Sequence, residues 1–187
     1  MVRMRRILIC TVAALAALTL ASFWPEAQAQ RLKRSRSGAT TASGQDISYL
    51  KDVEKGIVRL TNDVRRQHGL SALTREPTLN RIARAHSEDM LANNYFNHVG
   101  QDGSTPHQRI TSSYPFPLLM TGENIWAASG THPLETERMA RIIVDTWMSS
   151  AGHRENILKP DFTDLGVGVA SSGKTVRATQ VFIQIRK

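Results

Sequence analysis

The sequence predicts an α+β fold, a layered domain with helices first and strands last. Two observations carry this. Apolar residues recur at three- and four-residue steps through the first half of the chain, at Leu50, Val53, Ile57, Leu60 and Val64. They switch to strict alternation at the end, at Leu165, Val167 and Val169 and again at Val181, Ile183 and Ile185. Long helices followed by consecutive strands argue for layers rather than βαβ units.

The first stripe defines an amphipathic helix through Val64, and Gly69 beyond Gln67 and His68 is its stop signal. A second helix opens around Pro77, because proline suits a first helical position, and Leu79, Ile82, Ala83, His86 and Met90 form its inner stripe. Thr105 followed by Pro106 reads as a cap and a first turn, so a short helix runs through Ile110. Residues 112–117 read as loop, broken by Pro115 and Pro117, and residues 124–128 as a short buried strand. Met139, Ile142, Ile143 and Trp147 mark a third long helix, with Glu135 and Glu137 at its N-terminus where the dipole favours negative charge. The stretch from Trp147 to Leu158 is read as the end of that helix, which puts His153 near a helix C-terminus. Ser171-Ser172-Gly173-Lys174 supplies the turn of a closing β-hairpin, with Phe182 on the face opposite Val181 and Ile183. Gly166 and Gly168 read as close packing on a strand rather than phosphate binding.

The ends of the chain differ from this middle. Arg3, Arg5 and Arg6 precede an uncharged run from Ile7 to Trp24, followed by Ala27-Gln28-Ala29. A basic n-region, an apolar h-region and a small-x-small site read as a secretory signal peptide over residues 1–29. The alternative is an uncleaved anchor, since 18 uncharged residues are just long enough to span a bilayer. Residues 30–46 carry Arg31, Lys33, Arg34 and Arg36 among Ser, Gly, Thr and Ala, and are expected to be a disordered basic linker. The domain is then residues 47–187. The linker is a solvated tether, with contact to an anionic surface as the alternative.

Of 187 residues, 24 are Lys or Arg and 16 Asp or Glu, a net charge of +8. From Ile47 onward, 17 basic residues face 14 acidic ones, so the domain is only +3 and no nucleic-acid partner is expected. The one cysteine, Cys10, lies in the leader, so the domain folds without a disulfide and cysteine catalysis is excluded.

Three polar segments end apolar elements: residues 94–98 with His98, residues 122–125 with Glu123, and residues 147–158 with His153. If they converge, two imidazoles and a carboxylate face one cavity, a donor set that suits zinc with an open fourth position. The sequence lacks H-E-x-x-H, G-x-S-x-G, C-x-x-C and phosphate-binding glycine loops, so the common hydrolase and nucleotide signatures fail. His86, on the apolar stripe, reads as a satisfied core histidine.

From about Ile57 to Ile185 the chain resembles the CAP superfamily, named for cysteine-rich secretory proteins, antigen 5 and plant pathogenesis-related proteins. It is most similar to the cysteine-free bacterial branch of secreted SCP-like proteins. The likeness rests on Asn62, Arg66 and Gly69-Leu70, on Ala83, His86 and Met90, on Phe96 and His98, on Gly122-Glu123-Asn124-Ile125, on Trp147 to Leu158, and on Gly166 to Val169. It implies an α-β-α sandwich with a small antiparallel sheet between helical layers. It also implies a shallow cleft lined by two histidines and two glutamates, which binds zinc in some members. The matching positions are His98, Glu123 and His153, and Ser150 stands in the cleft lining where the second glutamate would fall. The expected function is a secreted or periplasmic, non-catalytic binding module for a small molecule, lipid or envelope component. The alternative is a zinc-dependent hydrolase acting on peptide, lipid or polysaccharide through the same cleft.

Overall fold

The computed structural model describes residues 44–114, 117–130 and 134–185. The expected signal peptide, and the expected linker up to residue 43, lie outside these residues. Residues 43–187 form one compact unit. Its elements are α1 (Gly44–Gln67), β1 (Thr74–Arg75), α2 (Pro77–Ala92), α3 (Pro106–Thr111), β2 (Leu118–Ala128), α4 (Thr136–Ser149), α5 (Ala151–Leu158), β3 (Asp164–Ser172) and β4 (Thr175–Ile185).

The helix starts follow their signals. Glu76 caps α2 by accepting Leu79 N–H at 2.7 Å, with Pro77 in the first turn. Thr105 and Gln108 form a reciprocal capping box at α3. At the end of α1, Gly69 takes φ +72, a left-handed conformation open to glycine, while Leu70 N–H returns to Arg65 O at 2.9 Å. Two expectations are corrected. The helix begins at Gly44, not beyond residue 46, because Asp46 in the first turn favours a helix N-terminus and absorbs three residues of the expected linker. The third long helix stops at Ser149: Ser150 is extended (φ −99, ψ 125) and a separate helix, α5, follows. His153 therefore lies in the first turn of a helix rather than near a C-terminus.

The sheet order is β1-β3-β4-β2. β2 and β3 each pair antiparallel with β4, and β1 adds a two-residue parallel pairing to β3 that the sequence did not announce. Ser172 pairs with Thr175, so Gly173-Lys174 is the hairpin loop. β2 is longer than expected, reaching back to Leu118. Helices cover both faces, which makes an α-β-α sandwich. On one side α1, α4 and α5 bury Val53, Ile57, Ile143, Trp147, Leu165, Val167, Val169 and Phe182 together. On the other, α2 and α3 bury Leu79, Ile82, Ala83, Ile110, Val181 and Ile183. The alternation in β4 is thus the division between two cores.

The α2 layer touches the sheet backbone to backbone. A Cβ on Gly166 would lie 2.2 Å from the Leu79 carbonyl carbon, and one on Gly168 would lie 2.0 Å from Arg84 N. The margins of the sheet are closed by side chains. Beyond β1, Val167 N–H donates to Asn80 Oδ1 at 2.9 Å and Val169 N–H to buried Glu54 Oε1 at 3.1 Å. On the far margin, Asn156 Nδ2 donates to Glu123 O at 3.1 Å and Trp147 Nε1 to Ile125 O at 3.0 Å.

Candidate functional site: a histidine–glutamate cleft

The site is organised around Glu123, in the middle of β2. Its neighbour in the chain, Gly122, leaves no room for a side chain, since a Cβ would sit 2.8 Å from the Phe162 ring and 3.1 Å from Asn156 Oδ1. The next residue, Asn124, is fully buried and joins α5 to the sheet: its Nδ2 donates to His153 O at 3.1 Å, and its Oδ1 accepts from Asn156 Nδ2 at 2.9 Å. These two asparagines bring the first turn of α5, and His153 with it, to the strand that carries Glu123.

The Glu123 side chain is only 2% exposed. Oε1 accepts from His98 Nδ1 at 2.8 Å, and Oε2 accepts from Arg109 Nη2 at 2.8 Å. A carboxylate offers no proton, so this bond fixes the tautomer of His98: Nδ1 carries the hydrogen and Nε2 is left for the outside. The His98 ring is 46% exposed, so it forms the open wall of the cleft. Arg109 belongs to α3 and braces the site further, donating to His98 O at 2.9 Å and Ser104 O at 2.8 Å. Its Nε is buried without an acceptor among the described residues.

His86 is buried, as the apolar stripe of α2 requires, and donates from Nε2 to Asn97 O at 3.0 Å. It also joins the site, with Nε2 3.9 Å from Glu123 Oε1. Burial pushes its pKa below the ordinary histidine value, and the nearby Glu123 charge only partly offsets this. His153 is half-buried, and its Nδ1 has no partner among the described residues. Its pKa is also lowered, first by burial and then by the charge of His98, which places the two rings within electrostatic reach. Ser150 is half-buried at the start of α5, and its side chain makes no capping bond there.

The three expected residues thus come to one region, but not as three donors around one point. Glu123 uses both oxygens within the protein, one on an imidazole and one on a guanidinium. Among the described residues no group of three or more His, Cys, Asp and Glu side chains is arranged to hold a metal ion. The donor set does not fit a zinc centre that includes Glu123. Arg109 went unnoticed in the sequence because a guanidinium 14 residues from its carboxylate, on another element, has no local signature. Asn124 and Asn156 stood inside the quoted segments, yet residue type alone did not show that they face each other.

The profile of the cysteine-rich secretory protein family (CAP) matches residues 58–185. Over 148 residues the chain is 35% identical to YkwD of Bacillus subtilis (strain 168), an alignment that covers 79% of this chain and 52% of that protein. The chain therefore spans about half the length of that relative. Among solved structures, an extracellular protein containing an SCP domain from Bacillus anthracis str. Ames is 33% identical with a TM-score of 0.59, over 71% of this chain and 40% of that one. An outer surface protein from Borrelia burgdorferi superposes with a TM-score of 0.62 at 22% identity, over 73% and 95% of the two chains, a likeness of fold alone. With its sandwich, its His98–Glu123 pair and this profile match, the chain belongs to the cysteine-rich secretory protein (CAP) family.

Proposed function

We propose that this protein is an extracytoplasmic binding module whose cleft, built on His98, Glu123 and His153, holds a lipid or envelope component without catalysis and without a resident metal. The observation that supports it is the satisfaction of Glu123, whose two oxygens are taken by His98 and Arg109 at 2.8 Å each. A carboxylate held this way orients an imidazole; to ligate a metal or take a proton from water it would have to share or give up one of these two bonds. The outward Nε2 of His98 and the unpartnered Nδ1 of His153 are the groups left to meet a ligand. An extracytoplasmic location agrees with the leader-like residues 1–29 and with the relatives described as extracellular or outer-surface proteins. Among the described residues no helix is long and apolar enough to cross a membrane.

A hydrolase reading draws on the same His98–Glu123 bond, because a carboxylate orienting an imidazole is the arrangement of a general base. No hydroxyl is bonded to His98 among the described residues, so this reading makes water the nucleophile that His98 activates. One experiment separates the two. Purified protein is mixed with phosphatidylglycerol–phosphatidylcholine vesicles, and in parallel with p-nitrophenyl esters. We expect co-sedimentation with the vesicles that is lost in His98→Ala/His153→Ala, no ester turnover, and zinc content equal in parent and variant. Ester turnover abolished by Glu123→Gln, or zinc lost in the double variant, overturns this reading.

A further inference from the structure

A second cavity, of about 670 Å³, opens between α2, residues 101–104 and α3. This lies within the roughly 300–1,000 Å³ of small-molecule sites. His86 and Asp89 come from α2, Gln101 and Asp102 from the loop, and Gln108 and Arg109 from α3. His98, Glu123, Ser150 and His153 do not line it; it shares only His86 and Arg109 with the cleft.

The walls are fixed by local bonds. Gly100 N–H donates to Ser104 O and Gly103 N–H to Gly100 O, both at 2.9 Å, and Gly103 takes φ +81. Asp102 Oδ1 accepts Ser104 N–H at 2.9 Å, and a Cβ on Gly100 would lie 2.7 Å from that same oxygen. The capping box sets α3, and Arg109 ties it to Ser104 O. A cavity formed in advance spares a ligand the cost of ordering it.

The chemistry of the lining is specific. Gln108 Oε1 already accepts from Thr105, and Ser112 Oγ donates to Arg109 O. The Gln101 amide, the Gln108 amide nitrogen and the hydroxyl lone pairs still add donors and acceptors to the lining, which matches a ligand rich in hydroxyl groups, since each hydroxyl does both. Charge narrows it further. Arg109 is matched by Glu123, while burial favours the neutral form of His86. That leaves the carboxylates of Asp89 and Asp102. Asp89 is steadied by Tyr95 OH and by Asn93 Nδ2 at 2.6 Å, and hydrogen bonds from Ser104 lower the pKa of Asp102. We propose that this cavity is a second binding site, beside the cleft and sharing its His86 and Arg109 wall, for a hydroxyl-rich small molecule carrying one ammonium group, the chemistry of an amino sugar.

The test is a titration of the ¹⁵N-labelled protein with glucosamine, glucose and glucose 6-phosphate. Glucosamine is expected to shift amides of residues 85–89, 101–104 and 108–112 saturably while those of His98 and His153 stay in place. Glucose is expected to bind roughly 2–5-fold more weakly, the range of one exposed ion pair, and glucose 6-phosphate not at all. Asp102→Asn keeps the acceptor for Ser104 N–H but removes one of the two charges, and should bring glucosamine part of the way down to the level of glucose, Asp89 supplying the remainder. Ser112→Trp, on an exposed residue of the lining, should abolish the shifts, and an unchanged spectrum elsewhere reports that both variants fold. No saturable shift with glucosamine, shifts centred on the cleft, equal binding of glucose 6-phosphate, or full binding by Ser112→Trp would each overturn the proposal.

Discussion

Glu123 and Arg109 form a nearly buried ion pair, and the energetics of such pairs are asymmetric. Formed, the pair contributes modestly, because both charges have left water; with one partner removed, the other is left uncompensated at a cost of about 3–5 kcal/mol. The pair therefore serves orientation more than stability, holding His98 in one tautomer. His86 adds a pH dependence. Its folded pKa lies below its unfolded value, so as pH falls through the ordinary histidine range the unfolded chain takes up a proton that the folded one refuses. Stability contributed by a neutral His86 is complete above that range and is lost on acidification, with a limiting slope of about 1.4 kcal/mol per pH unit for one proton. Denaturant midpoints measured from pH 7.5 to 5 should fall, and the His86→Gln variant should fall less; parallel curves would remove His86 from the account. At this scale the sequence was partly legible. His98, Glu123 and His153 were singled out by residue type and family likeness, whereas Arg109 and the Asn124–Asn156 bond depend on long-range pairing that no spacing encodes.

Secondary elements were more readily read than side-chain networks. The apolar stripes of α1, α2 and α4, the prolines at Pro77 and Pro106, and the Gly173 turn are all local signals, and each element formed where its signal stood. The break at Ser150 was not readable in the same way, because the residues on either side are compatible with a continuing helix. It is held by one tertiary bond, Asn124 Nδ2 on His153 O, and by a local bond across the break, Arg154 Nη1 on Met148 O at 2.9 Å. Gly168 is the sharpest element-scale constraint. Its missing side chain lets the α2 backbone rest on β3, and a methyl group at 2.0 Å from Arg84 N has nowhere to go. Gly168→Ala should lower stability by about 3 kcal/mol or more, at or above the upper end of overpacking effects. Gly152→Ala, on the exposed surface of α5 with open space at its Cβ, should stay within about 1 kcal/mol. Equal denaturant midpoints for the two variants would mean that α2 can lift from the sheet without loss.

The described residues form a sheet enclosed on both faces, with two separate cores and no cysteine. The layers were legible because each helical stripe and each alternating strand is a separate local signal, although β2 precedes α4 and α5, so helices and strands are interleaved along the chain. The strand order was not, since a two-residue β1 pairing parallel with β3 leaves no pattern to detect. The side-chain closure of the sheet margins has its own effect at this scale. A bare strand border invites a neighbouring molecule to pair with it, and repeated pairing of that kind grows fibrils. Here the inviting amides of Val167 and Val169 already have partners, Asn80 and Glu54, that cannot pass the pattern on. Asn80→Leu would strip one of those plugs, at a cost of about 1–3 kcal/mol for the stranded amide, and we expect thioflavin-positive assembly under agitation that the parent protein does not show. If the variant remains dispersed, the border is guarded by something other than these side chains. If it assembles, a single amide group separates a solitary protein from a self-templating one.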